Sequence, residues 1–129
     1  MLHIELVSPE RILYEGETEM VVCRTTEGEV AFLTGHAPFL GALAIAPVRV
    51  IGPAGVVVAA VHGGFVEVRD DRVIILSDVA ELPDQIDAER ARAAQQQAEE
   101  RLRVDESDED ARAALARATV RLELAVAAV

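Results

Sequence analysis

Ala80-Glu81-Leu82-Pro83-Asp84-Gln85-Ile86-Asp87 divides the chain into two regimes: the residues before it pattern as strands, and almost all those after it pattern as helix. Pro83 has no N–H to offer a ladder. Asp87 followed by Glu89 reads as a helix opening, a capping carboxylate and then an acid in the first turn. The stretch is therefore a joint, and any movement of one half of the chain against the other takes place there.

Upstream of the joint, Ile4 and Leu6 alternate with His3 and Glu5, which predicts a strand over 3–7, and Ser8-Pro9-Glu10 ends it. A short strand follows over 11–14, ended by Gly16. The segments 20–25 and 29–33, joined at Glu27-Gly28, read as a hairpin. Thr34-Gly35-His36-Ala37-Pro38 combines a flexible and a rigid residue and predicts a shaped loop. Apolar runs over 39–46, 48–51 and 56–61 come next, the last two separated by the turn signal Gly52-Pro53-Ala54-Gly55. After Gly63-Gly64 stand 65–68, the turn Asp70-Asp71, and 73–76. Strands this short and this close predict an all-β sandwich or barrel.

Downstream the period changes from two to three or four. Asp87, Ala91, Ala94, Ala98 and Leu102 share one helical face; Leu115, Ala118, Leu122, Ala125 and Val129 share a face of a second helix. Between them, Asp105-Glu106-Ser107-Asp108-Glu109-Asp110 reads as an acidic turn, with Ser107 as the cap of the second helix and Asp110 as the capping-box acid. The expected fold is α+β: an N-terminal all-β sandwich over 1–84, then a C-terminal antiparallel two-helix hairpin over 85–129.

Composition limits the function classes. Among 129 residues half are apolar, but the aromatics are only Tyr14, Phe32, Phe39 and Phe65, so the core is aliphatic. A formal charge of -11, with every basic residue an arginine, argues against a nucleic-acid surface. Cys23 stands alone, which excludes an internal disulfide or a Cys-based zinc site, fits a reducing compartment, and leaves it as core filling. No apolar run approaches the roughly 18 residues of a membrane span, and the N-terminus has no signal-peptide pattern. Any membrane association is expected through a protein partner. No Gly-rich phosphate loop, nucleophile elbow or spaced metal-ligand set is evident, so no catalytic residue and no metal site is expected.

The alanine-lined seam of the first helix buries little more than a methyl per position. At about 0.8 kcal/mol per buried carbon it contributes only a few kcal/mol before ordering entropy is subtracted. A ligand at 100 times its dissociation constant contributes about 2.7 kcal/mol, the same scale, so a partner or a small molecule is able to set the hairpin's position. Residues 111–129 carry Arg112, Arg117 and Arg121 against a single Glu123, a positive stretch on an acidic chain that suits an acidic partner.

These residues together resemble the epsilon subunit of bacterial F-type ATP synthases over nearly the whole chain. The landmarks are Val7-Ser8-Pro9-Glu10 with Tyr14 and Gly16-Glu17, Gly28-Glu29 with Gly35-His36-Ala37-Pro38, Gly63-Gly64-Phe65-Val66-Glu67-Val68, residues 73–76, Ala80-Glu81, and Ile86-Asp87 with Arg90-Ala91. The resemblance implies a non-catalytic subunit of the proton-translocating complex, peripheral on the cytoplasmic side of the cell membrane. Its sandwich would bind the gamma subunit and the c-ring, with Glu29 and His36 at the c-ring contact. It also implies that the hairpin opens towards the alpha/beta hexamer and inhibits ATP hydrolysis, Arg112, Arg117 and Arg121 meeting the beta subunit. No cofactor is required. Some relatives bind ATP as a regulatory ligand in the closed hairpin, at positions matching Glu81, Ile86, Asp87, Arg90, Arg117 and Arg121. Gln97 stands where such relatives carry a further basic residue, which implies a weaker site or none. The alternative is a passive structural adaptor with neither inhibitory nor ATP-binding role.

Overall fold

A computed structural model describes residues 1–127. Strands β1 (Leu2–Val7), β2 (Ile12–Thr18), β3 (Met20–Thr25), β4 (Gly28–Leu33), β5 (Phe39–Gly52), β6 (Gly55–Arg69), β7 (Arg72–Leu76) and β8 (Ala80–Glu81) precede a 3-10 turn at Pro83–Gln85. Two helices follow, α1 (Ala88–Val104) and α2 (Glu109–Ala127). The α+β order of sandwich and hairpin is as the sequence leads one to expect.

The strands hydrogen-bond in the order β2-β1-β7-β6-β5-β3-β4, with β8 added to β6. β1 and β7 run parallel, and their neighbours are antiparallel. The sheet folds over on its two long strands, β5 and β6, so that Leu2, Ile4, Val73 and Ile75 share one core with Val21, Phe32 and Val50. Cys23 is buried in that core as filling.

Three expected strand breaks are absent. β5 runs straight through Pro47 because its register with β3 skips from Val22↔Arg49 to Thr25↔Leu43, leaving Pro47 in an irregular stretch where its missing N–H removes no regular β3 rung. β6 likewise runs through Gly63-Gly64, both at positive φ (90° and 115°), passing from pairing with β8 at Ala60 and Val61 to pairing with β7 from Phe65 onward. β2 also continues past Gly16, which pairs with Ile4. Asp70 and Asp71, both left-handed (φ 50° and 59°), form the two-residue turn between β6 and β7.

Asp87 caps α1 as expected, its Oδ1 accepting the Arg90 N–H at 3.1 Å. The second cap is corrected. Asp108, not Ser107, receives the Ala111 N–H at 3.0 Å, and the Arg101 guanidinium grips the same carboxylate at 3.0 Å. Ser107 is drawn away by Asp105, whose Oδ1 accepts both its hydroxyl (2.6 Å) and its backbone N–H (3.0 Å). Those two bonds hold the Asp105 carboxyl below its usual range. Because Glu109 and Asp110 belong to the first turn of α2, the basic character is confined to the stretch from Arg112 to Arg121.

The helices pack on each other with Ala91, Ala98, Ala111 and Ala118 buried. Leu115 and Leu122 are only partly covered, and Val129 lies outside the described residues. α2 also has a second apolar face, unread in the sequence. Val120 and Leu124 are buried with Ala60 of β6, and Ile45, Val58 and Ile86 pack around them. The hairpin thus rests on the outside of the sandwich through α2.

Candidate functional site

Along β6, Val57, Ala59 and Val61 turn into the sandwich core, while Val58 and Ala60 turn outward beneath α2. His62 continues the outward row. Its side chain is 1% exposed, and it lies against Glu81 of β8, with Nε2 2.9 Å from Glu81 Oε1. The same oxygen accepts the Nε–H of Arg121 from α2 at 2.7 Å. One carboxylate oxygen therefore joins the sandwich, the joint and the last helix.

Glu81 can only accept hydrogen bonds when ionised, so the contact requires the hydrogen of neutral His62 on Nε2. His62 Nδ1 is then a bare acceptor, buried with no hydrogen-bond partner among the described residues. Burial pushes the imidazole pKa down, opposed by the Glu81 contact and reinforced by the positive charge of Arg121 and Arg117. Burial acts to raise the Glu81 pKa, but the bonds from Arg121 and His62 outweigh it and leave the carboxyl below its usual value.

Beside this junction opens a cavity of about 360 Å³ whose charged lining is Glu81, Asp87, Arg90 and Arg121, with Gln85 also lining it. Four of the six residues named for a nucleotide thus surround one cavity. Ile86 is elsewhere, in the apolar cluster under α2, and Arg117 is not part of the lining. Two carboxylates cancel two guanidiniums, so a triphosphate entering here has to part Arg121 from Glu81 or bring a metal ion. His62 and Gln85 were missed in the sequence. The signal for His62 is its place two residues beyond Ala60 on a run apolar on both faces.

The remaining candidates are dispersed. His36 sits in the loop after β4, its ring edge-on to Phe32 (4.9 Å between centroids) and its Nδ1 2.7 Å from the Ala37 carbonyl oxygen. Glu29, at the other end of β4, lies 3.9 Å from Arg24 and lines a mixed-charge cavity of about 470 Å³ between α2 and strands β3 and β5. Arg112 donates to the Glu106 carbonyl in the interhelical turn. His3 lies 3.1 Å from Glu15, 3.2 Å from Glu17 and 3.5 Å from Glu5, while Arg72 takes Glu5 at 3.1 Å. Hydrogen bonds to the Glu15 and Glu17 carboxylates raise the His3 pKa, and an imidazolium donating from both nitrogens accounts for this cluster as a cross-strand stitch between β1 and β2.

On the outer sheet face, Ala42, Phe65 and Leu76 are cross-strand neighbours, with Leu40 one step along β5. Leu40 is 71% exposed, Phe65 57% and Leu76 49%. This apolar strip is a candidate protein-binding surface. None of the helices among the described residues is long and apolar enough to cross a membrane.

Comparison with known proteins completes the description. The family model "ATP synthase, Delta/Epsilon chain, beta-sandwich domain" matches residues 1–83, and "ATP synthase, Delta/Epsilon chain, long alpha-helix domain" matches residues 84–125. The ATP synthase epsilon chain of Thermobifida fusca is 50% identical, covering 98% of this chain and 93% of its own. That of Streptomyces griseus is 46% identical, covering 94% and 92%. A chain of the Euglena gracilis mitochondrial ATP synthase OSCP/F1/c-ring assembly superposes with a TM-score of 0.75 at 26% identity, over 98% of this chain and 80% of that one.

Proposed function

The chain belongs to the ATP synthase delta/epsilon family, and from that premise we propose that it is a central-stalk subunit whose sandwich couples the gamma subunit to the c-ring and whose hairpin restrains ATP hydrolysis. The observation that carries this reading is how few groups, among the described residues, hold the hairpin down. Against the sandwich α2 has Val120, Leu124 and the Arg121–Glu81 bridge. Two such apolar side chains contribute about 3–6 kcal/mol before opposing terms, a margin that a partner is able to overcome. Opening releases Arg121 from Glu81, which with Arg117 and Arg112 presents a basic face to an acidic segment of the beta subunit. The subunit itself carries out no catalysis in this reading and is peripheral to the cell membrane, on its cytoplasmic side, through the complex.

For gamma, the apolar strip around Phe65 is the contact this reading favours, and the loop with His36, together with Glu29, is assigned to the c-ring. Phe65→Asp is expected to weaken binding of the isolated chain to gamma at least tenfold, about 1.4 kcal/mol or more, because a central aromatic becomes a buried charge. Phe65 is exposed in the free chain, so thermal unfolding is expected to stay near wild type. Unchanged affinity for gamma would move the contact elsewhere.

ATP is proposed as a weak regulatory ligand of the closed hairpin, held by Arg90 and Arg121 with Glu81 and Asp87. The net neutrality of the cavity and the uncharged Gln97 favour a weak site. Calorimetry of the isolated chain is expected to show saturable heat at millimolar ATP that Arg121→Ala removes; no heat at that concentration removes ATP from the account and leaves the mechanical role standing.

A further inference from the structure

We propose that His62 is a proton-responsive latch: taking up a proton below neutral pH loosens α2 from the sandwich, so that acidification favours the open hairpin. The proposal rests on the reading of the hairpin as a mobile element and names a regulator for it.

Four groups meet at the latch, from three elements. His62 comes from β6, Glu81 from β8, and Arg121 and Arg117 from α2. Arg90 of α1 and Asp87, its cap, face the Glu81–Arg121 bridge across the adjoining cavity. In the docked state His62 is neutral with its hydrogen on Nε2, directed at Glu81. A second proton has only Nδ1 to occupy, and there the new N–H is buried without an acceptor among the described residues. It also adds a cation beside two arginines, in competition with Arg121 for the same Glu81 oxygen.

Withdrawal of α2 reverses each term. The ring meets water, Nδ1–H finds an acceptor, the arginines leave, and Glu81 is free to pair with the imidazolium. The undocked state therefore binds the proton more tightly than the docked one. By linkage, docking is at full strength above the ordinary histidine value of about 6.5 and weakens as pH falls from there towards the lowered docked value. Glu81 also favours docking, but its contribution is lost only below the ordinary carboxylate range, so His62 is the latch group between pH 7.5 and 5.5.

The test uses the isolated full chain in a Cys23→Ser background. A cysteine at Ala60→Cys, beneath Val120 and Leu124, reacts with a thiol reagent only when α2 lifts. Val104→Cys, 90% exposed, measured alone in the same buffer, corrects for the reagent's own pH dependence. Protection of position 60 is expected to fall between pH 7.5 and 5.5 by up to about tenfold, the ceiling for one proton over that span. With His62→Gln, whose amide still donates to Glu81 but does not titrate, the change is expected to be less than twofold. Protection that does not depend on pH, or that falls equally in His62→Gln, would overturn the latch. This result concerns docking in the free chain, so it is separable from whether the hairpin moves in the assembled complex: protection lost with acid but a hairpin fixed in the complex would sink the regulatory reading alone.

Discussion

Removal of residues 85–129 is expected to raise ATP hydrolysis by the assembled complex severalfold while assembly and ATP synthesis survive. The sandwich core draws on β1 to β7, and among the described residues none of its buried members lies in α1 or α2, so the truncated chain is expected to retain its fold and its apolar strip for gamma. What it loses is the basic face of Arg112, Arg117 and Arg121, the only part of the chain this account sends towards the hexamer. Hydrolysis and synthesis by membrane vesicles carrying full-length or truncated subunit give the comparison. Unchanged hydrolysis would favour the passive adaptor; loss of synthesis would show that the hairpin is needed for coupling.

Gly64→Val is expected to unfold the sandwich or to destabilise it by about 4 kcal/mol or more, among the largest effects of a single substitution. A Cβ at this position would lie 2.1 Å from the Leu76 carbonyl oxygen and 3.0 Å from Ser77 Cα, both backbone atoms that cannot swing aside. Its φ of +115° adds strain for a β-branched residue. Gly28 supplies the comparison. Its φ is +132°, but a Cβ there meets nothing within 4 Å, so Gly28→Ala is expected to cost only about 1–2 kcal/mol. Urea unfolding of the two variants separates strain from collision. Similar losses in both would mean that the approach of β6 to β7 at Gly64 is not as close as described.

The joint and the change of period were legible in the sequence because each rests on local chemistry. Pro83 cannot pair, Asp87 caps, and alanines recur at helical spacing. Strand continuity was harder to read. Pro47 and Gly63-Gly64 look like breaks, yet Pro47 falls where β5 and β3 lose register, and the glycines bend a strand that changes partners. Those outcomes depend on what lies alongside, which no local pattern records. The cap at Asp108 was missed because Asp105 competes for Ser107, and two neighbouring acids offer the same chemistry.

The docking of α2 left a signal that went unread. Val56-Val57-Val58-Ala59-Ala60-Val61 is apolar on both faces, a pattern for a strand covered on both sides, whereas a two-layer sandwich covers only one. His62 follows directly on the outward face, so its burial was contained in the same run. Of the nucleotide candidates, Glu81, Asp87, Arg90 and Arg121 converge through the joint, while Ile86 is taken by the apolar cluster. Glu29 and His36 are seven positions apart in sequence but lie at opposite ends of an extended strand, a separation that spacing alone does not convey.

The proposed function requires α2 to leave the sandwich within the working enzyme. Arg49 and Glu123 line the same cavity when the hairpin is docked and suit paired spin labels. Cys23 lines the same cavity, so the labelled chain carries Cys23→Ser, as in the test at Ala60. Distances between labels at these two positions in the assembled complex, with and without ATP, are predicted to show a short and a long population whose ratio shifts between conditions. A single short distance under every condition would contradict the account and leave the hairpin as fixed scaffold.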